Sequence, residues 1–233
     1  MKKFVVMFVF SIYLVADSVF VAAAANMSYA LDAIKEAFEK KYPNIKIKST
    51  IASSGKLALQ ITRGAPYDIY LSANMEYPAK LYKQGYTITR PLVYAKGKLV
   101  FFSKSAKLKD IAKLSTIAIA NPKTAPYGKA AFEVLQKLHI PNEKLLYGES
   151  VAQTTAYALH GAQGAFIAAS VMHSKKMQNQ AKFAYPVDPK LYTPIKQGMV
   201  LLKDREAARA FFVFLLSKEA AKILEQYGYI VEN

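Results

Sequence analysis

Leu99-Val100-Phe101-Phe102 is an unbroken apolar run, without the polar alternation of a strand that keeps one face wet. Such a strand belongs in a sheet covered on both faces, and helices are the usual cover. The rest of the chain supplies them. Strand-like runs at 19–24, 45–51, 68–71, 165–169 and 200–202, and one within 113–120, alternate with stretches of helical spacing. Helices are expected over 29–41, 55–63, 76–84, 129–138 and 152–159. A long helix from Arg205 precedes a final one that ends at Tyr227, stopped by Gly228. In the first helix Leu31, Ile34, Ala37 and Phe38 share a face, the spacing of a helix laid on a core. This order predicts an α/β fold with mostly parallel sheets flanked by helices.

The N-terminus adds a compartment. Met1-Lys2-Lys3 followed by the apolar run 4–15 has the basic and apolar regions of a secretory signal peptide. Asp17 argues against extending the run into a membrane span. Cleavage is expected after Ala16 rather than after Ala24, because the later cut would remove the first strand. No cysteine occurs, so neither a lipid-attachment cysteine nor a disulfide is available. A soluble periplasmic protein is expected. The chain carries a formal charge of +16, and losing Lys2 and Lys3 leaves it strongly basic. Its lysines are spread out, without an arginine-rich run or a nucleic-acid module, so nucleic acid is not the expected partner. The charge reads as a solvated surface able to attract anions over long range.

Four junctions carry the chemistry. At Ser53-Ser54-Gly55 a strand runs into a helix, whose first turn exposes unpaired N–H groups and the positive end of the dipole. Hydroxyl residues there either cap the helix or help to hold an anion. Similar turns occur at Asn26-Met27-Ser28, at Asn121 to Gly128, and at Gly148-Glu149-Ser150-Val151. Each alone is compatible with plain capping. In doubly wound sheets, ligands bind where such helix N-termini meet, so two junctions in each half of the chain suggest a cleft between two lobes.

The blocks Ala25-Asn26-Met27-Ser28, Ala52-Ser53-Ser54-Gly55-Lys56-Leu57, Gly64-Ala65-Pro66-Tyr67-Asp68, Ala125-Pro126-Tyr127-Gly128 and Glu149-Ser150-Val151 resemble the periplasmic molybdate-binding proteins of ABC transporters. The final helix and Tyr227-Gly228-Tyr229 extend the resemblance over nearly all of the mature chain. It implies a two-lobed periplasmic-binding-protein fold of type II with two crossing hinge strands. The expected division is a signal peptide over 1–16, lobe one over 17–94 plus 199–233, and lobe two over 95–198. It also implies a tetrahedral oxyanion, molybdate or tungstate, as ligand, with no cofactor. An inner-membrane permease with a cytoplasmic ATPase is the implied partner of an expected monomer.

Carried over by motif, Asn26 and Ser54 face the ligand from one lobe, and Tyr127 and Val151 offer backbone N–H groups from the other. Ser53 is expected to be structural. Where many members have a ligand-binding tyrosine this chain has Ala168, and the Tyr127 hydroxyl is the expected replacement. Lys56 is expected on the helix surface. Neutral donors suit a fully deprotonated oxyanion, because every oxygen that loses water must regain a donor. Sulfate and a tungstate-only ligand are the alternatives within this class. A secreted serine hydrolase would need a base at Ser54, and His160 is the candidate. A basic envelope protein that binds anionic surfaces would explain the charge but not the four turns.

Overall fold

A computed structural model describes residues 17–232; the expected signal peptide, 1–16, lies outside them. In chain order the elements are β1 (Asp17–Ala24), α1 (Ser28–Lys41), β2 (Ile45–Ala52), α2 (Ser54–Thr62), β3 (Ile69–Ser72), α3 (Glu76–Lys83) and β4 (Leu92–Gly97). There follow β5 (Leu99–Phe102), β6 (Ile117–Ala120), α4 (Pro126–Lys137), β7 (Leu145–Gly148), α5 (Val151–His160), β8 (Gly164–Ala168) and β9 (Ala184–Pro186). The chain closes with β10 (Ile195–Leu201), α6 (Glu206–Phe214) and α7 (Lys218–Gln226).

Two five-stranded sheets result, ordered β2-β1-β3-β10-β4 and β7-β6-β8-β5-β9. In the first, β2, β1 and β3 run parallel while β10 and β4 join antiparallel. The second repeats the plan, with β7, β6 and β8 parallel and β5 and β9 antiparallel. The parallel half of each sheet therefore matches the expected arrangement, and the antiparallel half is supplied by the strands next to the crossings. The boundaries expected at 94/95 and 198/199 fall inside β4 and β10, which both belong to the first sheet. The chain instead changes sheet at Lys98, between β4 and β5, and again between β9 and β10.

Alternation along β1 explains how the first sheet is covered. Val19, Val21 and Ala23 enter a core with Leu31, Ile34 and Phe38 of α1 and Phe211 of α6, while Ala22 faces Leu57 and Ile61 of α2. Phe38 meets the rings of Phe211 and Phe214 at 4.9 and 5.4 Å. In the second sheet all four residues of β5 are buried, between β8 and β9 and under helical cover. The expected long helix from Arg205 ends at Phe214. Ser217 then starts α7 by accepting a hydrogen bond from the Ala220 N–H at 3.2 Å.

Candidate functional site

The four junctions lie at the carboxyl ends of parallel strands. A single 3-10 turn, Ala25–Met27, follows β1, and α2 follows β2. In the second sheet α4 follows β6 and α5 follows β7. Between them is a small cavity whose walls include Asn26, Ser53, Ser54, Tyr127 and Val151. All four residues expected at the ligand are thus brought to one place, and each is buried. The remaining wall residues are Ala24, Ala25, Ala73, Ala125 and Pro126, so among the described residues no lysine, arginine or carboxylate lines it.

The donors come from helix starts. Ser54 is the first residue of α2, and its hydroxyl accepts the Ala73 N–H at 3.0 Å. That bond uses a lone pair and leaves the hydroxyl proton to be donated. In α4 the first residue is Pro126, which has no N–H, so Tyr127 supplies the first donor of that helix. Gly128 lets this helix approach β6, since a Cβ there would lie 2.0 Å from the Ala120 carbonyl oxygen. In α5 the Ser150 hydroxyl accepts from the Gln153 N–H at 3.4 Å. That cap serves the third residue and leaves the Val151 N–H, at the first position, free of it.

Asn26 departs from expectation. Its carboxamide nitrogen donates to Gln197 Oε1 and to the Tyr229 hydroxyl, both at 2.8 Å, so both amide protons are used. The donor directions are fixed by neighbours: Gln197 Nε2 donates to the Ile195 carbonyl at 3.1 Å, and the Tyr229 hydroxyl donates to the Asn26 carbonyl at 2.9 Å. Ser170, just after β8, donates to the same carbonyl at 2.7 Å. The Asn26 side chain therefore ties the first strand-to-helix turn to β10 and to the C-terminal segment, and its carbonyl ties the turn to the segment after β8. What remains for a ligand is its backbone N–H, at the start of a turn that gives it no internal acceptor.

The Tyr127 hydroxyl is likewise committed. It lies against Gly97 at the end of β4, where a Cβ would come within 2.0 Å of it. Burial, and next the neighbouring phenols of Tyr229, Tyr94 and Tyr192, push its pKa well above the usual tyrosine value, so it stays a neutral donor. The Ser53 side chain makes no capping bond to α2, and its buried hydroxyl has no hydrogen-bond partner among the described residues. An adjacent pair of serines gave no signal to separate these roles.

Contacts across the mouth hold the two halves together. The Gly55 N–H donates to the Thr124 carbonyl at 2.9 Å, and the Tyr77 hydroxyl to the Lys123 carbonyl at 3.1 Å. Lys56 pairs with Glu149, both well exposed. His160, by contrast, is at the far end of α5, about 13.5 Å along the helix from Val151. It cannot serve Ser54 as a base.

A family model described as bacterial extracellular solute-binding protein matches residues 19–230. The molybdate-binding protein ModA of Rhodobacter capsulatus is 37% identical over 233 residues, covering 93% of this chain and 90% of that protein. ModA of Azotobacter vinelandii is 36% identical, covering 92% and 90%. Among solved structures, the periplasmic molybdate-binding protein of Azotobacter vinelandii superposes with a TM-score of 0.84 at 27% identity, covering 92% of this chain and 100% of that one. The sulfate-binding protein SubI of Mycobacterium tuberculosis has a TM-score of 0.74 at 15% identity, covering 91% and 86%, a likeness of fold alone. With the match running almost from end to end, the chain belongs to the bacterial extracellular solute-binding proteins.

Proposed function

We propose that the cavity captures molybdate, with tungstate as a near-equal ligand, and that the protein delivers it to an ABC permease. The observation that carries this reading is the set of donors: the N–H groups of Ser54, Tyr127 and Val151 and the Ser54 hydroxyl border one buried cavity that no cationic side chain among the described residues lines. An anion removed from water needs oriented donors, and three helix N-termini provide them together with the positive ends of their dipoles. Water excluded from such a site makes fixed dipoles more effective. The absence of a carboxylate from the wall suits an oxyanion that is fully deprotonated, because a protonated phosphate would bring a donor with no charged acceptor to meet it. The names of the relatives in Rhodobacter and Azotobacter support molybdate in particular.

In this reading the two sheets are the cores of two lobes, and the segments joining β4 to β5 and β9 to β10 are the hinge. Ligand favours the closed arrangement through contacts that exist only there. The protein works in the periplasm as a monomer without a cofactor, exported by the segment 1–16, with an inner-membrane permease and its cytoplasmic ATPase as partner. Thermal unfolding with molybdate, tungstate, sulfate, phosphate and thiosulfate tests the ligand. A true ligand at 100 times its Kd adds about 2.7 kcal/mol of stability. Molybdate and tungstate are expected to shift the transition strongly and sulfate weakly. A clear shift with sulfate and none with molybdate or tungstate overturns the assignment.

A further inference from the structure

Ser53, Ser150 and Ser217 all occupy the residue before a helix, in extended backbone. Ser150 and Ser217 do what serine does there: each hydroxyl accepts the N–H three residues on, at 3.4 and 3.2 Å. Ser53 does not. Its hydroxyl makes no bond to α2, the residue is only 4% exposed, and its oxygen has no partner among the described residues. The same residue is part of the cavity wall, next to Ser54. A buried hydroxyl that forgoes both water and its helix cap is a cost to the folded chain, unless something in the cavity completes it.

We propose that the Ser53 hydroxyl is a further donor to the bound oxyanion, so that both serines of the pair bind ligand. This rests on the oxyanion reading of the cavity and deepens it. Two adjacent hydroxyls divide the work. Ser54 is oriented from behind by the Ala73 N–H, which occupies one of its lone pairs. Ser53, lacking such a partner, rotates to meet an oxygen and so adapts the site to the position of the anion. Both hydroxyls give their protons to oxygens that only accept, which raises the preference for an anion without protons of its own.

The test compares the wild type with Ser53→Ala and Ser53→Gly, using thermal unfolding without ligand and calorimetric titration with molybdate. Glycine is a good residue before a helix, so the second variant removes the hydroxyl while keeping the helix start sound. Both variants are expected to bind molybdate roughly tenfold more weakly or worse, the loss typical of one hydrogen bond to a charged group. Ligand-free Ser53→Ala is expected to unfold at the wild-type temperature or about 2–4 °C above it. Wild-type affinity in either variant overturns the proposal. So does a lower unfolding temperature and weaker binding in Ser53→Ala that Ser53→Gly restores, because Ser53 would then be a cap. If the wild type itself binds none of the five anions, the oxyanion reading fails, whatever the variants do.

Discussion

The two sheets bring different chemistry to the same cavity. From the first come side-chain hydroxyls, Ser53 and Ser54, along with the peptide groups at the starts of the β1 and β2 turns. From the second come Tyr127 and Val151, whose side chains are turned to packing and to the crossing strands, leaving only peptide N–H groups for a ligand. Side-chain donors can be deleted by substitution, whereas peptide donors persist as long as the helix keeps its start. Affinity should therefore respond to substitutions in the first sheet and stay nearly constant under conservative ones in the second.

Ser54→Ala should cause the largest loss. It removes a hydroxyl donor to the anion and also leaves the Ala73 N–H without its acceptor. Losing a hydrogen bond to a charged group typically costs about 1.5–3 kcal/mol, so molybdate should bind about 10- to 100-fold more weakly by calorimetry. Retained affinity would remove the first sheet's claim to the side-chain chemistry. Gly55→Ala should come next. Its new Cβ would lie 2.7 Å from the Tyr77 hydroxyl and 3.1 Å from the Thr124 Cα, and the latter is backbone of the facing half. Crowding of this kind costs about 1–3 kcal/mol; with the Tyr77 side chain able to yield, the cost in the closed arrangement falls at the lower end, so binding should weaken about five- to tenfold while ligand-free unfolding hardly moves. A fall in ligand-free stability matching the loss in affinity would show that Gly55 serves folding and not closure.

Much of this contrast was legible in the sequence, though unevenly. The parallel units β1-α1-β2-α2 and β6-α4 announce themselves through apolar runs that end in Asn, Ser or Pro turns. Three strands gave no such signal. In β7 Leu146 and Tyr147 are exposed at a sheet edge, and β9 is three residues closed by Pro186, so neither has the pattern of a covered strand. In β4, Leu92 and Val93 are exposed and the strand stops at Gly97, immediately before the stronger β5. The site residues were legible as positions, because helix starts are encoded locally. The directions of their side chains were not. Asn26 is claimed by Gln197 and Tyr229, 171 and 203 residues away, and only the folded chain brings those partners together.

Val151→Ala tests the other half of the contrast. The Val151 N–H survives the substitution, while two methyl groups leave a buried position in the second core. Stability should fall by about 1.5–2 kcal/mol, and molybdate affinity should stay within about threefold of wild type. Chemical unfolding and titration on the same preparation separate the two. An affinity loss as large as that of Ser54→Ala would mean that the second sheet contributes more than its peptide groups.

The smallest effect is expected at Lys56, and it bears on whether the anion is held by charge at all. Lys56 lies two residues past Ser54 and would be the nearest candidate for a cationic partner, yet it is not in the cavity wall. Its ammonium is paired with Glu149 across the mouth, with side chains 48% and 61% exposed. The pair is locally neutral, and an exposed pair contributes about 0–1 kcal/mol. Lys56→Ala should therefore weaken molybdate binding threefold or less at physiological salt, through one lost closing contact. Raising the salt to about 0.5 M shortens the screening length to a few ångströms and should shrink even that difference. Glu149→Gln should have an equally small effect, and the double variant should be no worse than either single one, since both remove the same contact. If Lys56→Ala instead matched Ser54→Ala, and did so at high salt, the anion would be held by a short-range cationic contact, and the neutral-donor account of the site would fail.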